Sequence, residues 1–344
     1  MITIESFEGL PLEYESFLID KYDSYLTTCR YIEIYHSTSD IKYVLIRENS
    51  NLVDLLIFEN IGNTSTCYNS LSEIDEQIIS KFTNYIFDKY PTIHKIKIIA
   101  SYKEYIFKKA ILSSKWNDHV LDLPSTMNDY FLELGYHTRK NMKNRKVRLL
   151  RDYPNANFVT KFGNQIENDT INKILELSSD RMKHKGIILG KDKEAKNNIF
   201  KYSQHYGCVA YIEIGGMIVA GSISTMLNSK IYAHVIAHDE NFSKYNLGET
   251  CMSYLIQTSI EKGMKSFNLS WGENEYKSRL LAKPHLLFSY IIYRVYSPDY
   301  LINKFKSIYL GSMNRLRLSK LSLPLRNAVK HFRRKIWKTD LSSL

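Results

Sequence analysis

The chain has 344 residues, 44% hydrophobic and 24% charged, a globular composition that excludes disordered and collagen-like classes. Its formal charge of +11 gathers at one end: residues 301–344 hold eleven Lys/Arg against Asp340 alone, which leaves the rest almost neutral. Four scattered cysteines without a Cys/His cluster exclude a structural zinc site, and no metal is expected. No apolar run is long enough to span a bilayer, and MITIESFEGLPLEYESF lacks the basic and apolar regions of a signal peptide, so a cytoplasmic protein is expected.

Residues 1–124 read as a first α/β unit. IKYVLIRE (41–48) and NLVDLLIFE (51–59) are adjacent strands joined by Asn49-Ser50. In 72–90, Ile74, Ile78, Phe82, Tyr85 and Ile86 fall on one helical face, with Ser72 as candidate N-cap and Pro91 just past the end. IHKIKIIAS (93–101) is a further strand, and no cluster of reactive side chains marks this unit.

Ser125 is placed to cap a helix with the stripe Met127, Tyr130, Phe131 and Leu134. After Gly135, seven bases follow between Arg139 and Arg151 with no acid among them. That run is either a solvated helix face or a surface for the phosphates of a substrate, a cofactor or a membrane.

Residues 125–298 form a second unit. A strand (156–162) precedes two helices (169–184 and 192–206) and three strands joined by the turns Gly215-Gly216 and Asn228-Ser229. A helix (248–263), the strand KSFNLSW, the short helix ENEYKSRLLA and the strand HLLFSYIIYRVY complete the order β-α-α-β-β-β-α-β-α-β. Residues 299–344 read as a basic amphipathic tail, fit to lie on an anionic membrane surface or to dock on the body.

Two places invite chemistry. In KYNLGETCM a helix begins at Gly248, where unpaired N–H groups and a partial positive charge make a natural anion site. KIYAHVIAHD alternates, so Ile231, Ala233, Val235 and Ala237 are expected on one face, with Tyr232, His234, Ile236 and His238 on the other. A hydrogen-bonded cleft histidine or a base are both open readings of His234.

The element order, together with TRKNMKNRKVRLLR, SSDRMKHKG, IEIGGMIVAGSIS, HDENFSKYNLGETC and FNLSWGENEYK, resembles the GNAT acyltransferases of the CelD/BcsL type, distant relatives of the FemAB peptidyltransferases. The resemblance implies a GNAT-like acyl-CoA N-acyltransferase fold, with the N-terminal unit as a second, degenerate GNAT-like unit in tandem. It implies acetyl-CoA or another acyl-CoA as co-substrate, with the pyrophosphate at Leu247, Gly248, Glu249 and Thr250. Acyl transfer to an amine needs a base and a proton donor for the leaving group. His234 is the candidate base, with Glu213 and Asp239 behind it, and Tyr276 the candidate acid. Lys277, Glu273 and Arg181 are candidate substrate ligands. The family commonly has Asp where this chain has Asn268, so the carboxylate's role is altered or relocated.

The expected function is N-acetylation of an amino sugar, nucleotide- or lipid-linked, in bacterial surface polysaccharide synthesis, at the inner face of the membrane. One alternative is a FemAB-like transferase using aminoacyl-tRNA, the only reading that brings in a nucleic acid. The other is a non-catalytic scaffold at the membrane surface.

Overall fold

The computed structural model describes residues 2–36, 39–107, 109–184, 186, 193–272, 274–295 and 300–301. The expected basic tail beyond residue 301 and Glu273 lie outside them. In chain order the strands are β1 (Ile2–Glu8), β2 (Ile41–Glu48), β3 (Asn51–Ile61), β4 (Thr64–Cys67), β5 (Lys95–Ser101), β6 (Ala110–Asp122), β7 (Asn157–Phe162), β8 (Gly207–Ile214), β9 (Met217–Leu227), β10 (Lys230–His238), β11 (Ser266–Trp271) and β12 (Lys283–Tyr293). The helices are α1 (Glu15–Tyr22), α2 (Cys29–Tyr35), α3 (Glu76–Lys89), α4 (Met127–Glu133), α5 (Tyr136–Asp152), α6 (Asn168–His184), α7 (Lys193–Tyr206), α8 (Leu247–Glu261) and α9 (Glu275–Arg279). The sequence pattern did not reveal β1, β4, β6, α1 or α2.

Contacts divide the chain into two units that interleave in sequence. The first takes residues 1–13, 35–115 and those from Phe288 on; the second takes 14–34 and 116–287. Helix α1 and most of α2 thus belong to the second unit although they precede the strands of the first.

In the first unit β1, β2, β3 and β4 pair antiparallel in sequence order. β4 runs parallel to β5, and β5 antiparallel to β12. Asn49 and Ser50 both take positive φ (48° and 70°), as the tight hairpin between β2 and β3 requires. Helix α3 crosses from β4 to β5, burying Ile78, Phe82 and Ile86. Its cap is Asp75, whose side chain accepts from Gln77 N at 2.7 Å, not Ser72. Ser72 is held earlier, in a bridge to Ser101 and a hydrogen bond to Asn69 O.

In the second unit β7, β8, β9 and β10 form the expected antiparallel meander. Helix α8 crosses from β10 to β11, which run parallel, and β11 pairs antiparallel with β6. Each unit therefore contains strands leading into a crossover helix and a parallel partner, the tandem α/β arrangement expected from the sequence. Helix α6 covers β9 and β10. Its Ile171 and Ile174 join Val209, Ile223 and Ala237 in one apolar layer. The approach is so close that a Cβ on Gly221 would lie 2.5 Å from the Ile174 side chain, which only glycine avoids. Helix α8 covers β8, β9 and β10, where Leu255 and Ile256 pack with Ile231, Ala233 and Phe267. Each such Leu, Ile or Phe side chain contributes about 1.5–3 kcal/mol by leaving water. Helix α4 begins at Thr126, one residue after the expected cap, because Thr126 Oγ1 accepts from Asp129 N at 3.1 Å. Among the described residues no helix is long and apolar enough to cross a membrane.

Candidate active site

A bulge in β10 overturns the expected alternation of its side chains. Ala233 pairs with Ser224 and Val235 with Ile223, which leaves His234 as the extra residue. Beyond that point every side chain changes face. Ile231, Ala233 and Ile236 pack toward α8, and the His238 ring lies against Gly248 at the start of that helix. Val235 and Ala237 pack toward α6 instead. His234 shares Tyr25 with Tyr232, each ring 4.9 Å from it, and its Nε2 is 2.9 Å from Thr225 Oγ1. The two histidines therefore do not share a face, contrary to the strict period of two.

The same place is where two strands part. β10 and β11 pair from Lys230–Ser266 to Tyr232–Asn268, and the ladder then stops. His234 is exposed just beyond the last pair. In the first unit the corresponding parallel ladder is extended by the chain itself. Leu71 N donates to Ala100 O and Tyr102 N to Ser72 O, so a loop closes the position that stays open in the second unit.

The end of β11 is held by a buried polar cluster. Asn268 Nδ2 donates to Asp118 Oδ2, and Ser270 N donates to Asn268 Oδ1 at 2.6 Å. Ser270 takes a positive φ of 60° and its hydroxyl reaches Ala233 O at 2.9 Å. Lys277, 2% exposed, donates from Nζ to the carbonyls of Ser270 and Trp271 at 2.7 and 3.0 Å. Burial pulls its pKa down, against the pull of Asp118. Lys277 thus fastens the strand end to α9 and offers its ammonium to main chain, not to solvent. Asp118 lies on β6, which showed no strand pattern, so it was not among the residues singled out. Its one sequence signal was the missing carboxylate at Asn268.

The start of α8 tests the expected coenzyme A site. Asn246 precedes it in the left-handed conformation (φ 48°, ψ 53°) and its side chain does not cap the helix. The groups around it are already committed. A Cβ on Gly248 would lie 2.9 Å from His238 Nδ1, so the open side of the glycine is filled by that ring. Leu247 is fully buried, and the Thr250 hydroxyl donates to Tyr245 O and Asn246 O at 3.3 and 3.2 Å. Glu249 brings its own carboxylate to the first turn, paired with Arg145 and, at 3.1 Å, with Arg279. Burial opposes ionisation of Glu249, but the Arg145 hydrogen bond and the two positive charges outweigh it and hold its pKa below the usual range. A pyrophosphate placed here would meet that carboxylate and the two arginines paired with it. Asp239, held in reserve as a base, caps the following turn by accepting from Asn241 N at 2.9 Å. Glu213 lies on β8, opposite Asn157 and Ile218.

Tyr276 opens α9 and packs half-buried against the apolar layer under α8. Burial raises its pKa, Glu249 adds to the rise and Arg181 opposes it, so the phenol stays protonated through neutral pH and lies within the fields of both charges. Arg181, near the end of α6, has a buried Nε without a hydrogen-bond partner among the described residues. Tyr276 thus lies within the fields of Arg181 and Glu249, while Lys277, Asn268 and Asp118 hold the end of β11. Among the described residues no three His, Cys, Asp or Glu side chains cluster as a metal site.

Residues 137–278 match the family model described as acetyltransferase (GNAT) domain. The chain carries a GNAT acetyltransferase domain. It is an acyltransferase. The match spans the basic helix, the meander, α8, β11 and most of α9, the elements that build the site. No curated protein matches the sequence. Among solved structures, FemX is similar at 10% identity and a TM-score of 0.62, over 87% of this chain and 99% of that one. L-PGS from Bacillus licheniformis is similar at 14% identity and a TM-score of 0.54, over 89% and 98%. A conserved protein of unknown function from Bacteroides thetaiotaomicron is similar at 14% identity and a TM-score of 0.51, over 85% and 99%. At these identities the likeness establishes the GNAT fold.

Proposed function

We propose that this GNAT domain transfers an acyl group to an amine at the parting of β10 and β11, from an aminoacyl ester donor and not from one gripped by pyrophosphate at α8. The observation that carries this reading is the Glu249 carboxylate seated on the first turn of α8 with Arg145 and Arg279. It favours the FemAB-like alternative, and the similarity in fold to FemX supports the same reading. The amine nitrogen attacks the acyl carbonyl carbon and the ester C–O bond breaks. Tyr276, kept neutral by burial, gives its proton to the leaving oxygen. His234, exposed at the bulge, receives the amine's proton directly or through water. The unpartnered Arg181 Nε suits a carboxylate or phosphate on the acceptor.

A second reading is acetyl-CoA-dependent N-acetylation of an amino sugar, nucleotide- or lipid-linked, in surface polysaccharide synthesis. The acetyltransferase family match favours it, together with the CelD/BcsL-type motifs. Thermal unfolding with coenzyme A, acetyl-CoA and charged tRNA, followed by transfer assays with radiolabelled donors, separates the two. Stabilisation and transfer with charged tRNA alone support the first reading. Stabilisation and transfer with acetyl-CoA alone replace it with the second, and no response to any donor sinks both.

A further inference from the structure

Helix α5 divides its cations between two duties. On its inner side, where Met142 and Leu149 are buried, Arg139 donates to Phe131 O and Arg145 holds Glu249. The outer side is different. Lys140 leans over the Tyr136 ring, Lys143 over Phe131 and Lys146 over Phe158, so these ammonium groups meet aromatic faces and solvent. Arg148 and Arg151 are exposed beside them. From Leu134 to Arg151 the chain has no acid; Asp129 and Glu133 flank Leu132 on α4, and Arg151 pairs with Asp152 at 2.8 Å, so Lys140, Lys143, Lys146 and Arg148 carry the positive charge of this face. Three large apolar side chains stand on it: Leu132 near the end of α4, Tyr136 and Val147 are 66%, 60% and 67% exposed. Helical spacing puts Tyr136, Lys140, Lys143, Val147 and Arg151 along one ridge.

We propose that this outer face of α4 and α5 seats the protein on an anionic lipid surface. Positive charge alone would suit any polyanion, including RNA. The aliphatic residues decide between them: Leu132 and Val147 can neither stack on a base nor accept a hydrogen bond, whereas both gain by entering the acyl boundary between lysines that meet lipid headgroups. Docking in this way has a consequence for the site. Arg145, on the opposite side of the same helix, holds the Glu249 carboxylate whose field reaches Tyr276, so α5 stands between the lipid-facing ridge and the site. The inference does not depend on which acyl donor is used.

The test uses the full chain, so that the basic tail is present and its contribution can be told apart. All four native cysteines are buried, which makes a new surface cysteine selective for labelling. Val147→Cys carries an environment-sensitive fluorophore, and Met217→Cys, 64% exposed at the start of β9, is the control. With vesicles of equal parts phosphatidylglycerol and phosphatidylcholine, the label at 147 is expected to shift to the blue while the label at 217 does not. Pure phosphatidylcholine vesicles leave both unchanged. Adding Lys140→Gln and Lys143→Gln raises the half-saturating lipid concentration roughly thirtyfold, as loss of two charges at a membrane surface implies. An unshifted label at 147 overturns the proposal, whether the chain stays free or sediments through its tail. Equal shifts at both positions, or a shift at 147 with tRNA and none with vesicles, overturn it as well. Because the readout is binding without turnover, failure of the acyl-transfer reading leaves this result intact.

Discussion

Asn268 on β11 donates its side-chain N–H to the carboxylate of Asp118 on β6, at 2.5 Å and with both residues buried. A carboxylate is thus retained beside the end of β11, but from the neighbouring strand. Asn268→Asp would place two carboxylates in contact away from water, and one of them would have to hold a proton. The variant is expected to lose about 3 kcal/mol at neutral pH, the scale of an uncompensated buried charge. The sign follows from linkage. The raised carboxyl pKa makes the folded state bind more protons, so stability falls as pH rises and the loss shrinks in acid. Adding Asp118→Asn restores a single carboxylate and should recover most of the loss. Urea unfolding at neutral and mildly acidic pH measures both; an unaltered midpoint in Asn268→Asp would show that the pair is not coupled.

The proposed mechanism gives Tyr276 a role in turnover that its packing alone does not require. Tyr276→Phe keeps the ring against the layer under α8 and removes only the proton. Turnover is expected to fall about a hundredfold, the usual worth of a positioned acid, with the melting temperature little changed. Equal turnover in the two proteins would reduce Tyr276 to a packing residue.

Gly248 and His238 should behave as a coupled pair. A methyl group at 248 would lie 2.9 Å from the His238 ring, so Gly248→Ala is expected to cost about 1–3 kcal/mol through overpacking. His238→Ala in the same chain removes the obstacle and should recover most of that loss. Four denaturation curves complete the cycle, and additive losses would mean that the ring does not occupy the glycine's open side.

Glu249 decides whether the start of α8 is an anion site. Glu249→Gln leaves Arg145 and Arg279 without their carboxylate, so coenzyme A should bind roughly tenfold more tightly than to the parent chain, the scale of a charge change at a helix N-terminus. Calorimetric titration checks it; tighter binding by the parent would return the pyrophosphate to this helix. The carboxyl pKa is depressed in the folded protein. Its stabilising contribution is therefore present at neutral pH and lost as pH falls through the lowered value, so the stability curves of parent and variant should converge in acid.

The sequence by itself determined the order of elements from β7 to β12. Hydrophobic periods of 2 and 3.6 are local properties, and the Gly and Asn turns between them are local too. It also located Tyr276 beyond the end of a strand and the basic run on one helix. It could not show that the alternation in β10 reverses at His234, because the bulge is set by pairing with Ser224 and Ile223 on β9. Nor could it show that Lys277 turns inward to the carbonyls of Ser270 and Trp271, since a lysine following a tyrosine reads as solvated. The partner of Asn268 lies 150 residues away in sequence, on a strand whose polar residues hid it. Glu249 sits in a turn that reads as an anion site, and only the fold brings Arg145, 104 residues away, to its carboxylate. Period and spacing report which face a residue prefers. Which partner meets it there is decided only when distant strands and helices close on one another.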